Sequence, residues 1–134
     1  MTEFLNPATV GAPAAAYSLG VYVPPGYGYV LTSGIVATRP DGTIPPDLTG
    51  QAEAVWAAIG EVLAAGGCSM NDLVSYTTYV VDRPDLTAEL GKVMAVRDRM
   101  LDGRRPASTL IVVPRLARPE WLIEIAAVAA HPPR

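Results

Sequence analysis

The sequence contains one cysteine and one histidine in 134 residues, and this scarcity excludes several kinds of site. A single cysteine cannot form an internal disulfide, which fits a protein of a reducing compartment. Cys68 follows two glycines at the expected end of a helix, and we interpret it as incidental rather than as a nucleophile. The single histidine, His131, lies in the C-terminal tail. We therefore expect neither a zinc site built on histidine pairs nor a Ser-His or Cys-His catalytic system within the domain.

Positive charge and long apolar runs are also scarce. The net charge is −3, and no basic run is longer than the pair Arg104-Arg105. Because nucleic-acid binding requires a basic surface to neutralise phosphates, RNA is a poor candidate partner. No run reaches the roughly 18–20 apolar residues of a membrane helix, and the N-terminus lacks the basic and apolar regions of a signal peptide. We expect a cytoplasmic protein without membrane contact.

The sequence does contain enough apolar material for one hydrophobic core. Half of the residues are apolar and 17% are charged, which is unlike a disordered chain. The length suits a single domain over residues 1–134. The mean hydropathy of +0.26 leaves apolar surface to spare and favours an oligomer.

Turn residues and hydrophobic periodicity predict five strands and two helices. Residues 1–16 are rich in proline and alanine and are predicted to form an extended arm. The predicted strands cover residues 17–23, 29–36, 73–81, 107–113 and 121–130. One predicted helix follows Thr49 as its N-cap and ends at Gly66, and the other runs from Leu86 to Gly103. The turn at 24–26 predicts that the first two strands form an antiparallel hairpin.

The order ββαβαββ predicts an α/β fold of the α+β type. Both helices are expected on one face of a mixed sheet of at least five strands, which leaves the other face open. Three such subunits could bury their open faces together, in a trimer with a barrel-like centre.

Glu124 is the most informative candidate for chemistry, because it is the only charge in an apolar strand. Alternation places it on one face with Leu122, Ala126 and Val128, where a carboxylate is partly desolvated. Such a group is a candidate acid, base or ligand-binding residue. Two other interpretations remain open: an exposed edge-strand carboxylate, and an ion pair across an interface with an arginine at position 104, 105 or 115.

The segment 104–109 joins a helix end to a strand start and holds two guanidiniums and two hydroxyls. Arg105 could bind a carboxylate through its guanidinium fork, with Ser108 and Thr109 as hydrogen-bonding neighbours. The alternative is that the arginines neutralise the C-terminal dipole of the helix. Ser33-Gly34 interrupts a strand of large residues and could mark a bulge, and Tyr17 offers a phenol; a packing glycine and a core tyrosine are the alternatives.

Together these segments resemble the YjgF/RidA family, also labelled L-PSP endoribonuclease-like, from about residue 13 to 130. The matching motifs, in chain order, are Pro13-Ala14-Ala15-Ala16-Tyr17-Ser18-Leu19-Gly20, Thr32-Ser33-Gly34, Gln51 with the helix that ends Ala64-Ala65-Gly66, Asn71-Asp72-Leu73-Val74, Thr77-Thr78-Tyr79-Val80-Val81-Asp82, Arg105-Pro106-Ala107-Ser108-Thr109 and Ile123-Glu124-Ile125-Ala126-Ala127-Val128. No single motif is decisive, but their order and spacing are jointly specific.

The resemblance implies a homotrimer of chorismate-mutase-like architecture with a ligand cleft at each subunit interface. The best-known activity of the family is the hydrolysis of reactive enamines and imines to ketoacids and ammonia, without metal or cofactor. By the resemblance, Glu124 orients the attacking water, and Tyr17, Ser33 and the adjacent Gly34 line the cleft. An arginine in a Pro-Ala-Arg-Ser motif holds the substrate carboxylate in the family.

The sequence departs from the family pattern at that arginine, because Ser108 occupies its position. Leu110 stands where many members have cysteine, and Ile35 replaces a glutamine. A serine cannot make a bidentate, charge-assisted contact to a carboxylate, so the usual activity on 2-aminoacrylate is in doubt. Arg105 could substitute only if its loop folded back. Three functions are therefore weighed: a cofactor-free hydrolase or deaminase of a small imine or enamine, a non-catalytic small-molecule-binding or regulatory module, and an endoribonuclease, which the acidic charge disfavours.

Overall fold

The computed structural model describes all 134 residues as six strands, two α-helices and one short 3₁₀ turn. In chain order they are β1 (Glu3–Leu5), β2 (Gly20–Tyr22), β3 (Gly28–Leu31), α1 (Leu48–Ala65), the 3₁₀ turn Met70–Asp72, β4 (Leu73–Val81), α2 (Leu86–Leu101), β5 (Ala107–Val113) and β6 (Ile123–His131). The α+β class and the order of the main elements are confirmed. Neither helix is long and apolar enough to cross a membrane.

Helix α1 begins two residues earlier than the sequence suggests. Its N-cap is Asp47, whose side chain accepts a hydrogen bond from the Gly50 N–H at 3.1 Å, and not Thr49. The helix ends as predicted at Gly66, and Gly67 follows with φ +77°, a conformation that glycine adopts without strain. The guanidinium of Arg134 donates to the Gly66 carbonyl at 2.5 Å, which satisfies one of the free carbonyls at this helix end.

The main sheet has four strands in the order β3-β6-β4-β5. Strand β4 pairs in parallel with β5, and β6 runs antiparallel to both of its neighbours. Both helices pack on the same face, where residues of α1, α2, β4 and β6, together with Ala37 and Cys68, form one core cluster of 19 buried residues. The two-helix, one-face arrangement is therefore confirmed, and the opposite face of the sheet carries no helix of this chain.

Two details of the predicted sheet are wrong. The first two predicted strands do not form a hairpin, because β2 pairs with β1 and β3 pairs with β6. The main sheet has four strands and not five; β1 and β2 form a separate two-stranded sheet, and only a single bridge from Ser18 to Ala107 links that region to β5. Pro24 and Pro25 lack N–H groups and cannot close a ladder between β2 and β3, whereas Asn6 ties the N-terminal segment to β2 by accepting from the Leu19 N–H at 2.9 Å.

A β-bulge lies between β3 and Ile35, which is the next residue that pairs with β6. Leu31 lies opposite Val128, whereas Ile35 lies opposite Ile125. Four steps along one chain thus match three steps along the other, so one residue is extra. The bulge falls at Ser33-Gly34, where the sequence predicts an interruption of the strand.

Candidate functional site

The open face of the sheet is the part of the molecule that carries the candidate site. Along β6, Ile123, Ile125, Ala127 and Ala129 are buried against the helices, whereas Glu124, Ala126 and Val128 alternate with them and are only half-buried. Strand β4 alternates in the same way. The predicted face of Glu124 is therefore confirmed: it shares the open face with Ala126 and Val128.

Glu124 lies on this face, near the start of β6, with its carboxylate over Gly34. Its register partner on β4 is Tyr79, and the space where a Gly34 side chain would begin is filled by the Glu124 carboxylate. The carboxylate makes no hydrogen bond and no ion pair within the chain. Because β6 is an interior strand of the sheet, the interpretation of Glu124 as an edge-strand residue is wrong. A half-buried, unpaired carboxylate is free to accept a proton or a hydrogen bond from a bound molecule.

The arginines that could have paired with Glu124 are not paired with it in the chain. The guanidinium of Arg104 stacks on the Phe4 ring at 5.2 Å, and Arg115 donates to backbone carbonyls of its own loop at 3.1 and 3.4 Å. Arg105 is exposed. An ion pair between Glu124 and these arginines is therefore absent within the chain, and Arg115 instead stabilises the loop between β5 and β6.

The bulge at Ser33-Gly34 brings free backbone donors beside the carboxylate. Thr32 donates its amide to the Ala127 carbonyl at 2.9 Å, and the Ile35 amide donates to Ile125 at 2.8 Å. Between them, neither the Ser33 N–H nor the Gly34 N–H hydrogen-bonds to another group of the chain. Both residues are exposed. The pair of free amides next to a carboxylate offers a donor set and an acceptor to one small ligand.

Gln51 holds the segment that leads into β6 and was not identified as a site residue from the sequence. Its amide nitrogen donates to the Pro45 and Glu120 carbonyls at 2.9 and 2.8 Å, and its oxygen accepts from the Leu122 N–H at 2.8 Å. The side chain is almost fully buried. The available signal was a polar residue at an inward position of an apolar helix. Gln51 fixes the start of the strand that presents Glu124.

The candidate residues of β5 lie away from Glu124 within the chain. Thr109 is on the open face, but it pairs with Thr77 of β4 and is separated from β6 by that strand. Two strand spacings put it about 10 Å from β6. Ser108 and Leu110 point to the helix side, where they line a small cavity. Tyr17 lies next to the Ser18–Ala107 bridge, and its hydroxyl accepts from the Ala14 N–H at 3.3 Å.

The candidate residues thus form two groups within the chain. Ser33, Gly34 and Glu124 come together on the open face, whereas Tyr17, Arg105 and the β5 residues lie at the far edge of the sheet. A single ligand cannot contact both groups of one chain unless it spans roughly two strand spacings.

The chain offers no cluster of three His, Cys, Asp or Glu side chains that could hold a metal ion. Cys68 is buried, and burial, helped by the negative charge of Asp72, raises the pKa of its thiol. A raised pKa disfavours the thiolate, which is the nucleophilic form. These facts leave Glu124 as the side chain best placed for proton transfer on the open face.

Comparison with known proteins gives consistent results. Residues 9–131 match the family model described as Endoribonuclease L-PSP. A Rid-family protein of unknown function, YyfB from Yersinia pestis, is 32% identical, with a TM-score of 0.86 over 97% of this chain and 98% of that one. Escherichia coli TdcF, solved with bound serine, is 26% identical, with a TM-score of 0.70 over 87% of this chain and 93% of that one. Rv2704 of Mycobacterium tuberculosis, a YjgF/YER057c/UK114 family member, shares the fold at 21% identity and a TM-score of 0.67, over 98% of this chain and 100% of that one.

Proposed function

The chain belongs to the Rid/YjgF family of Endoribonuclease L-PSP-type proteins, and from this premise we propose that it binds and hydrolyses a small reactive imine or enamine without metal or cofactor. The observation that carries the proposal is the unpaired Glu124 carboxylate on the open face, against Gly34 and beside two free backbone amides. The net charge of −3 argues against RNA as the substrate.

In this proposal Glu124 acts as the general base. It removes a proton from a water molecule while the water oxygen attacks the imine carbon. The carbon–nitrogen bond then breaks, and the nitrogen leaves as ammonia after accepting protons, one of them returned through Glu124. An enamine first takes up a proton on carbon to become the imine. The products are a carbonyl compound and ammonia, so the reaction balances with water as the only co-reactant.

The backbone donors of the bulge complete the site. The free N–H groups of Ser33 and Gly34 are available to hydrogen-bond an oxygen atom of the substrate and to fix its orientation next to Glu124. The exposed Ser33 hydroxyl adds a third donor. A glycine at position 34 leaves room for the Glu124 carboxylate, which a side chain there would displace.

The proposal includes a homotrimer whose clefts lie between subunits. One subunit keeps Glu124 and the β5 edge about two strand spacings apart, so a complete cleft would combine Glu124 of one subunit with Tyr17, Arg105, Ser108 or Thr109 of another. Exposed apolar side chains on the open face support such an assembly: Leu31 is 69% exposed and Ile111 is 40% exposed. Light scattering on the purified protein should give three times the mass of the 14.1 kDa chain.

A small amino-acid-like substrate is supported by one comparison. The structure of E. coli TdcF contains bound serine, and TdcF aligns with 87% of this chain. Imines and enamines derived from amino acids have a similar size. Ser108 offers a hydroxyl rather than a charge. This favours a substrate whose group next to position 108 is neutral or less anionic.

The test is an assay with 2-aminoacrylate and with a bulkier imino acid, each generated in situ by an auxiliary enzyme. We expect ketoacid release faster than the uncatalysed rate from the bulkier substrate, and a loss of about 100-fold in kcat for Glu124→Gln. The matched control is Glu120→Gln, an exposed carboxylate in the preceding loop, which should keep full activity. Turnover that is unchanged in Glu124→Gln would contradict the mechanism.

The alternative is a non-catalytic module that holds the same kind of metabolite. The serine at position 108 favours it, because a site without a charged anchor could still bind a ligand weakly. This alternative predicts that ligands raise the melting temperature without being converted. Ligand-dependent stabilisation in the wild type, lost in Gly34→Ala and accompanied by no turnover of any imine, would replace the hydrolase proposal.

A further inference from the structure

Thr32 pairs with β6 in an unusual way at the point where the β-bulge begins. Its amide donates to the Ala127 carbonyl at 2.9 Å, as in a regular antiparallel ladder. The Ala127 amide does not return this bond to the Thr32 carbonyl but donates to the Thr32 hydroxyl oxygen, at 3.0 Å. The Thr32 carbonyl accepts no hydrogen bond from the chain. The hydroxyl of Thr32 has thus taken the place of its own carbonyl in the ladder.

The same hydroxyl donates its proton to the next residue. Thr32 Oγ1 lies 2.7 Å from the Ser33 carbonyl oxygen, which takes the single hydrogen that a hydroxyl can donate. One side chain therefore accepts from β6 and donates to the bulge at the same time. Valine has the same shape as threonine but can play neither role.

These two hydrogen bonds set the directions of both free amides of the bulge. The Thr32 carbonyl and the Ser33 N–H belong to one planar trans peptide unit and point in opposite directions, and the same holds for the Ser33 carbonyl and the Gly34 N–H. Because the hydroxyl replaces the Thr32 carbonyl in the ladder, it determines where the Ser33 N–H points. Because the hydroxyl also holds the Ser33 carbonyl, the Gly34 N–H points away from Thr32 Oγ1.

We propose that Thr32 is a positioning residue of the open-face site. Its hydroxyl holds the Ser33 and Gly34 amides in the arrangement that binds an oxygen atom of the ligand beside Glu124. This inference rests on the proposed function, because it concerns the same site. Thr32 acts through the bulge and does not contact the ligand itself, since its half-buried hydroxyl already donates to Ser33 and accepts from Ala127.

Loss of the hydroxyl has a definite structural consequence. Ala127 is 2% exposed, and an unsatisfied buried amide is unfavourable. The carbonyl of residue 32 is free and belongs to the same pair, so the 32–33 peptide is expected to rotate until this carbonyl accepts from the Ala127 N–H. The rotation turns the Ser33 N–H and releases the Ser33 carbonyl. The bulge then keeps its extra residue but presents its donors in other directions.

The first experiment observes the bulge directly and does not require turnover. Thr32→Val removes the hydroxyl and keeps the shape, whereas Thr32→Ser keeps the hydroxyl. In ¹⁵N–¹H spectra, we expect the Gly34 amide resonance, two residues from the change, to shift in Thr32→Val and to stay at its wild-type position in Thr32→Ser. Thr77→Val is the control, because it removes from the same face a hydroxyl that makes no hydrogen bond in the chain, and it should not move this resonance.

The second experiment measures turnover of the imino acid that an amino-acid oxidase forms from leucine. We expect kcat to fall about tenfold in Thr32→Val and to stay within about twofold of the wild type in Thr32→Ser and Thr77→Val. Urea unfolding identifies assay conditions in which every variant is folded, and under those conditions a loss of stability alone leaves kcat unchanged. If Thr32→Val does not fold, Thr32→Cys takes its place, because a thiol is a weak donor and a weak acceptor and differs from the serine of Thr32→Ser in one atom.

Three results would overturn the inference. The first is a Gly34 resonance that stays in place when the hydroxyl is removed. The second is an equal loss of kcat in Thr32→Ser and Thr32→Val, which would assign the effect to the methyl group. The third is an equal loss in Thr77→Val, which would mean a general effect of the open face. If the wild type converts no imine, the proposed hydrolysis fails, and the Gly34 resonance alone decides whether Thr32 holds the donors of the bulge.

Discussion

The two faces of the main sheet are built from the same strands, yet they differ in how far one chain completes them. On the helix face, Val80, Ile123 and Ile125 are 0–1% exposed and belong to a core that includes both helices. On the open face, Glu124, Ala126 and Thr77 are only half-buried, and larger apolar residues such as Leu31 remain exposed. Because side chains alternate along β6, neighbouring residues lie on opposite faces. The helix face contributes to stability, and the open face carries the candidate site.

Replacing an isoleucine by alanine on each face should give the largest difference in unfolding free energy between the two faces. Ile125→Ala on the helix face should lower the free energy of unfolding by about 3 kcal/mol, because it leaves a cavity in a closed core. Ile111→Ala on the open face should cost less than about 1 kcal/mol at low protein concentration, because Ile111 is 40% exposed. Urea unfolding at two protein concentrations measures both. Equal losses of unfolding free energy at low protein concentration would mean that a single chain also buries the residues of the open face.

Loss of the Gln51 bridge should have the next largest effect. Gln51→Leu leaves the Pro45 and Glu120 carbonyls and the Leu122 amide without their partner, and we expect a loss of about 2 kcal/mol in unfolding free energy. The control is Glu61→Leu, an exposed position on the same helix, which should change stability by less than about 0.5 kcal/mol. Similar losses in both variants would show that Gln51 does not hold the segment before β6.

Gly34→Ala tests the open face without disturbing the core. The added methyl group displaces the Glu124 carboxylate, while both residues stay at the surface, so stability should change by less than about 1 kcal/mol. Ligand binding or turnover should fall about tenfold. Gly91→Ala is the control, because no atom lies within 4 Å of the added methyl group, and it should leave the site intact. Full activity in Gly34→Ala would remove Glu124 and the bulge from the site.

The smallest effect concerns Cys68, on the helix face. Burial raises the pKa of its thiol, so at a given pH near 8 the folded protein holds less thiolate than the unfolded chain. Alkylation by iodoacetamide should therefore be at least about tenfold slower in the native protein than in urea, and its rate should rise at higher pH than in the unfolded chain. Equal rates in both states would mean that this end of the core opens readily.

The parts of the fold that depend on local chemistry were predictable from the sequence. Gly66 and Gly103 mark the ends of the two helices, and period-2 alternation places Glu124 on the correct face. The pairing of β2 with β1, and of β3 with β6, could not be read from the turn between β2 and β3. Those pairings depend on contacts between residues more than a dozen positions apart, which no local pattern encodes.

The sites were predictable to different degrees for the same reason. The sequence pointed to Glu124 because a charge in an apolar strand is visible without a fold. Its contact with Gly34 joins positions 90 residues apart in the chain and appears only in the folded sheet. Gln51 had a weaker signal, a polar residue at an inward position of an apolar helix, and its contacts with Pro45, Glu120 and Leu122 again form only in the folded chain.

The single extra residue at Ser33-Gly34 also determines the parity of the chain that follows it. In an unbroken strand, the four steps from Leu31 would turn Ile35 toward the open face. The bulge resets the alternation, so Ile35 packs against the core opposite Ile125. Removing one residue from residues 32–34 would leave three steps against three, so Ile35 would stay opposite Ile125 in a regular ladder and the path to the buried Ala37 would be kept. What would be lost is the approach of Gly34 to the Glu124 carboxylate, so the extra residue serves the open face and not the pairing of the sheet.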